Sequence, residues 1–206
     1  IIIKLAEVLM NDIKRVCVFA SSSDFLDKSF YDAAEELGTL LGKAGYDIVY
    51  GGSSLGLMWA CAKEVKKSGC QIIGVMPERL HNMGVYTDEC VELFVTPCMR
   101  SRKAKMDELS DAVVALAGGF GTLEELAEMI VQKQLGYNNK PVVILNTNGF
   151  YNKLLEFFED IIQQKFAGEK SRGIFFAADT PEQVIDYIQN YTPENVIIGK
   201  EDIYSR

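Results

Sequence analysis

Three glycines, a threonine and two carboxylates stand together in "GGFGTLEE", residues 118–125, directly after the apolar run "AVVALA" (112–117). A strand-to-helix turn of this composition exposes backbone N–H groups at the helix N-terminus, where the macrodipole favours an anion. Glycine matters there because a Cβ would keep an incoming oxygen away from the amides. A second such turn, "YGGSSLGLM" (50–58), follows another apolar run. Together they point to a phosphorylated small molecule. The carboxylates admit two readings. Thr122 to Glu125 fits the S/T-x-x-E capping box, in which Glu125 reaches back to the Thr122 amide. Yet a carboxylate beside a docked anion is repelled by it. A cap has no need of that neighbour, whereas a group facing a developing positive charge next to a phosphate does. Glu124 points elsewhere on the helix, toward solvent or a supporting partner. Upstream, Arg100, Arg102, Lys103 and Lys105 crowd into "RSRKAK". A solvated helix face accounts for most of them, but an arginine at a helix start opposes the dipole, so Arg102 calls for a carboxylate or a ligand.

The elements that must position these groups are short apolar strands alternating with helix-period segments. Strands are expected at 15–20, 46–51, 71–76, 91–96, 112–117, 141–146 and 173–178. Helices are expected near 28–44, 56–68, 100–109, 122–136, 150–166 and 181–190. Continuous apolar strands alternating with helices predict a doubly wound, mainly parallel α/β sheet with helices on both faces, a Rossmann-like class. Ligands of such sheets bind at the carboxyl ends of the strands. No repeat or linker divides the chain, so one domain is expected over 14–190, followed by a tail at 191–206. The segment 77–90, "PERLHNMGVYTDEC", is the least regular. Residues 1–9 precede Met10 and "NDIKRVCVFA", which reads as a natural start, so they are expected to be an upstream leader or an added segment.

Composition removes several classes. With 29 acidic against 21 basic residues the formal net charge is −8, which disfavours nucleic acid as a partner but leaves a small anion. Five cysteines form no CxxC pair and sit mostly in apolar runs, consistent with reduced core thiols and a cytoplasmic location. No apolar stretch reaches the roughly 18 residues of a membrane span. A single histidine, His81, excludes a multi-histidine metal site. No GxGxxG fingerprint follows a strand, and Leu57 and Met58 stand where a Walker loop needs Lys and Ser/Thr.

The pairing of "MRSRK" (99–103) with "GGFGTLEE" (118–125) resembles the LOG family, the cytokinin riboside 5′-monophosphate phosphoribohydrolases, long mislabelled as lysine decarboxylases. Its pattern is Met-x-x-Arg-Lys followed by Pro-Gly-Gly-x-Gly-Thr-x-x-Glu. The resemblance runs over about 14–190 and includes "VCVFASSS", "YGGSSLGLM", "IIGVMPERL", "QLGYNNKPVVILNTNGFYNKLLEFF" and "DTPEQVIDYI". It implies hydrolysis of the N-glycosidic bond of a nucleoside 5′-monophosphate, with Arg102 and Glu125 catalytic. Substrate would be held by Gly118, Gly119, Gly121 and Thr122, with Gly52, Ser22, Met99 and Lys103 also at the site. It further implies no metal or organic cofactor, and a homodimer whose active site lies near the interface. The chain departs from the pattern at Ala117 for proline, Ser21 and Ser53 for glycine, Trp59 for a small residue, and Arg100-Ser101 for His-Glu. These bear on base preference, cytokinin against AMP or other nucleotides. Two other readings stand beside this one: a non-catalytic nucleotide or molybdenum-cofactor carrier on the same fold, and a general nucleotide nucleosidase.

Overall fold

In "RVCVF" alternate residues must face opposite ways, and both sets are apolar, so the strand has to be covered on both sides. The computed structural model describes residues 13–193, and the expected leader at 1–9 and most of the tail lie outside them. In it this strand, β1 (Arg15–Phe19), is central. Val16 and Val18 enter one core, while Cys17 and Phe19 enter the other. The remaining strands are β2 (Asp47–Tyr50), β3 (Ile72–Pro77), β4 (Glu92–Thr96), β5 (Ala112–Ala115), β6 (Val142–Leu145) and β7 (Phe176–Ala178). All pairings are parallel in the order β4-β3-β2-β1-β5-β6-β7.

The helices are α1 (Lys28–Lys43), α2 (Gly56–Lys67), α3 (Glu78–His81), α4 (Met99–Glu108), α5 (Phe120–Gln134), α6 (Asn152–Gln163) and α7 (Pro181–Gln189). Leu37, Leu41, Leu57, Val65, Val184 and Ile188 place α1, α2 and α7 on one face of the sheet. Met106, Leu126 and Met129, with Leu155 packed against them, place α4, α5 and α6 on the other. The doubly wound fold is therefore as the alternation requires. Among the described residues no helix is long and apolar enough to cross a membrane.

The chain order reverses between β1 and β5, and the crevice at their carboxyl ends is the ligand position of this architecture. The strands stay paired up to that edge: Leu116 N donates to Phe19 O at 2.8 Å and Ser21 N to Ala117 O at 3.1 Å. Three local expectations are corrected. The helix expected from 122 begins at Phe120, behind Gly119 in an extended conformation. The strand expected at 173–178 is only Phe176–Ala178, because Glu169–Gly173 winds as a 3-10 turn. The segment 77–90 contains the one-turn α3, and Tyr86 then bridges back to Ser53 while Thr87 N donates to Gly52 O at 2.9 Å.

Helix α5 runs from the crevice to the opposite edge of the sheet and ends with a charged group inside. Lys133 is 2% exposed, and its ammonium lies 4.9 Å from the Tyr191 ring centre with no hydrogen-bond partner among the described residues. Burial lowers this amine from its ordinary 10.5 to about 8. A base that gains a proton less readily when folded destabilises the fold below its folded pKa, and that penalty fades as pH climbs toward the unfolded value. Lys133→Met is therefore expected to raise stability at pH 7 by about 1–3 kcal/mol. The gain should shrink as pH rises from about 8 toward 10.5, as measured by urea unfolding at several pH values.

Candidate active site

Helix α4 is strongly polar, and of its ten residues only Arg102 and Met106 are buried. An arginine takes a buried position only when its donors are satisfied. Arg102 Nε donates to the carbonyl of Val75 on β3 at 2.9 Å, and Nη1 donates to Glu125 Oε1 on α5. The two side chains are 9% and 8% exposed. Nη2 faces Gly51: a Cβ there would lie 3.0 Å from Nη2 and 3.0 Å from Met58 Sδ. Gly51 thus leaves room for the guanidinium at the end of β2. Burial holds the Glu125 carboxyl above its ordinary pKa, while the Arg102 guanidinium acts in the opposite direction.

The capping-box expectation for Thr122 and Glu125 fails on this geometry. Gly119 is the N-cap of α5, so Thr122 lies inside the helix and Glu125 turns toward Arg102 rather than back to an amide. A reach-back contact of that kind occurs on α4 instead, where Ser101 Oγ accepts from the Cys98 amide at 3.2 Å.

The two glycine turns differ in how their amides are used. At the start of α2, Gly56 N donates to Asp24 Oδ1 at 2.8 Å and Leu57 N to Ser21 O at 2.9 Å. Gly56 has φ +58, and a Cβ there would collide with the backbone of Ser21 and Ser22, so this turn is packed against the serine turn after β1. The start of α5 has no side-chain cap. A Cβ on Gly118 would strike Thr122 Oγ1, whereas one on Gly119 or Gly121 would meet nothing within 4 Å. Those two glycines answer no packing demand of their own fold. The first amides of a helix lack intrahelical acceptors, so the α5 turn is the one equipped to take an anion. Its base is held by Tyr151, whose hydroxyl donates to Leu116 O at 2.7 Å and lies near the Gly118 amide.

The other expected residues are distributed around this centre. Gly52, φ +73, abuts Gly74 and Leu93 at the end of β2. Ser22 and Met99 are exposed, Ser22 on the turn after β1 and Met99 at the start of α4. Lys103 is engaged by Glu124 and Glu128 of α5. Trp59 packs partly buried against the core shared by α1 and α2, and Met58 is the residue beside Gly51 and Arg102. The sequence did not mark Gly51, Met58, the Val75 carbonyl or Tyr151 as residues of the site. Gly51 was legible only as part of "YGGS", and a backbone acceptor leaves no mark on residue type.

Comparison with known proteins shows the family. A family model described as "Possible lysine decarboxylase" matches residues 58–188. A probable cytokinin riboside 5′-monophosphate phosphoribohydrolase of Oryza sativa subsp. japonica is 39% identical over 194 residues, covering 94% of this chain and 78% of that protein. A cytokinin riboside 5′-monophosphate phosphoribohydrolase of Arabidopsis thaliana is 40% identical over 182 residues, 88% of this chain and 85% of that protein. Among solved structures, the molybdenum cofactor binding protein of Rippkaea orientalis aligns with TM-score 0.67 at 24% identity, covering 85% of this chain and 95% of that one. The Moco carrier protein of Chlamydomonas reinhardtii aligns at 0.66 and 24%, with the same coverage. At that identity these two speak for the fold alone. The sequence kinship is of another order, since it runs through the Arg102 and Glu125 motifs and nearly the whole chain, and it makes this protein a member of the LOG family.

Proposed function

We propose that this protein hydrolyses the N-glycosidic bond of a nucleoside 5′-monophosphate, a cytokinin riboside monophosphate or AMP, to the free base and ribose 5-phosphate. The observation that carries the reading is the buried Arg102–Glu125 pair at the strand edge where the uncapped α5 turn begins. A buried ion pair is a poor stabilising device, often no better than an apolar replacement, so its presence here fits a chemical role better than a structural one. The relatives' names supply the substrate class.

In this mechanism the amides of Gly119 to Thr122 hold the 5′-phosphate, with Gly118 and Thr122 shaping the turn. Gly52, Ser22 and Met99 line the approach. Breaking the C1′–N bond leaves positive charge on the ribosyl carbon and ring oxygen. The Glu125 carboxylate stabilises that charge and orients the attacking water. The water oxygen bonds to C1′, the base departs with the bonding electron pair, and of the water's protons one remains on the new hydroxyl and the other balances the base. Arg102 fixes the carboxylate and turns Nη2, which has no hydrogen-bond partner among the described residues, toward substrate. Binding energy from the remote phosphate positions the reacting centre. The reading requires neither metal nor organic cofactor. We further propose a homodimer formed through α5 and α6, because exposed Val131, Leu135 and Phe157 continue an apolar surface along helices that start at or pack beside the site. The free cysteines suit a cytoplasmic location.

Base release from a panel of nucleoside monophosphates, followed by chromatography, tests the activity. Glu125→Gln should lower kcat on the order of 10²- to 10³-fold while leaving thermal unfolding close to wild type. Unchanged turnover would return Glu125 to a structural role. Because burial raises the Glu125 pKa, and its ionised form is required, the acidic limb of kcat should lie above the ordinary glutamate range. The glycines separate packing from binding. Gly118→Ala should lower the melting temperature through its clash with Thr122. Gly119→Ala should leave melting unchanged yet raise KM for the monophosphate about tenfold or more, and have little effect on hydrolysis of the free nucleoside.

A further inference from the structure

Lysine is among the residues least often buried, yet the Lys103 side chain is only 11% exposed. Its ammonium donates to Glu124 and pairs also with Glu128, one turn further along α5. Two carboxylates four residues apart on one helix face repel each other unless a cation sits between them. The arrangement is therefore a three-charge tie from α4 to α5. It lies beside the Arg102–Glu125 pair: Lys103 follows Arg102 on α4, and Glu124 and Glu128 stand one residue before and three after Glu125 on α5. Apart from Met106 in the core, the other ties of α4 run elsewhere than to α5: Arg102 to Val75 O, Lys105 over the Phe94 ring of β4 at 4.8 Å, and Lys140 to Asp107 at 2.6 Å.

These contacts create a mechanical problem for the proposed chemistry. When substrate arrives, Arg102 Nη2 and the Glu125 carboxylate are both drawn toward it, which weakens the hold each has on the other. The pair is the more buried of the two charged links between α4 and α5, so weakening it threatens their registry. We propose that Lys103 is a positioning residue whose grip on Glu124 and Glu128 holds α4 against α5 while the Arg102–Glu125 pair engages substrate. This rests on the hydrolase reading above. In it Lys103 does not touch substrate, although its motif position first suggested that it would.

The tie also sets the field at the carboxylate. The charged groups facing Glu125 are Arg102 and Lys103 from α4, which lower its pKa, and Glu124 from its own helix, which raises it. The Cys17 thiol of β1 lies near as well but is kept neutral by burial. Removing the Lys103 charge takes away one cation and leaves Glu124 uncompensated. Both changes push the Glu125 carboxyl up.

Steady-state kinetics of Lys103→Met and Lys103→Arg on the nucleoside monophosphate that wild type cleaves best provide the test. The expected result for Lys103→Met is a kcat lower by about 10- to 100-fold, a KM nearly unchanged, and an acidic limb moved to higher pH. Lys103→Arg should recover most of the rate and the limb. A raised KM with kcat intact would mean that Lys103 binds phosphate directly. Loss of melting temperature with kcat and limb unchanged would reduce it to a structural salt bridge. Either result overturns the proposal. If Lys103→Met does not fold, the Glu124→Gln/Glu128→Gln double variant keeps the lysine and releases it. A comparable fall in kcat is expected there, and an unchanged kcat overturns the proposal. Amide hydrogen exchange of α4, with and without ribose 5-phosphate, gives a readout free of turnover. The sugar phosphate should speed exchange in Lys103→Met but not in wild type, and equal exchange in both sinks the clamp. A wild type that releases no base would sink the hydrolase reading alone, since the exchange comparison still decides the clamp.

Discussion

The bond between the Arg102 guanidinium and the Glu125 carboxylate constrains almost everything around it. Placing two charges where each is less than a tenth exposed has a desolvation cost that their mutual attraction repays only if the remaining donors and acceptors are also met. The surroundings meet that condition in part and leave room at Nη2. The Val75 carbonyl takes Arg102 Nε, and Gly51 omits the Cβ that would crowd Nη2. Helix α5 starts early enough to bring Glu125 round to face α4. Each of these features is unremarkable alone, and each becomes necessary once the pair is fixed at the sheet edge.

The two glycine-rich turns illustrate how one composition serves two purposes. The amides at the start of α2 are used internally, by Ser21 and Asp24, and the glycine at position 56 exists so that this helix can sit on the serine turn. At the start of α5 the burden is divided. Gly118 makes room for Thr122, Tyr151 secures the turn from behind, and Gly119 and Gly121 leave backbone uncovered. Of the two motifs, the α5 turn is thus the one left open to an anion in the proposed reading, beside the buried Glu125.

The structural neighbours named for molybdenum cofactor share this fold at 24% identity. A doubly wound sheet offers the same crevice whatever its contents, and function resides in the side chains grafted there. What separates this chain from a mere carrier reading is the buried acid–base pair and the sequence kinship that runs through both of its motifs.

Fold class and the order of elements were written in the sequence, because strands buried on both faces must be apolar throughout and helices must show their period, and both are local properties. Val16 to Phe19 and Ala112 to Ala115 are legible for that reason. The site residues Arg102 and Glu125 were legible as types out of place, a cation at a helix start and an acid where an anion should dock. Their partners were not. Thr122 and Glu125 satisfy a capping-box spacing, and only the position of Gly119 as the true helix start shows that the acid turns the other way. Lys103 reads as one more base in a basic run until α5 supplies Glu124 and Glu128. The Val75 carbonyl, the space left by Gly51 and the buried amine of Lys133 have no signature in residue type. Each is a relation between segments far apart in the chain, decided when the sheet brings β2, β3, α4 and α5 to a common edge.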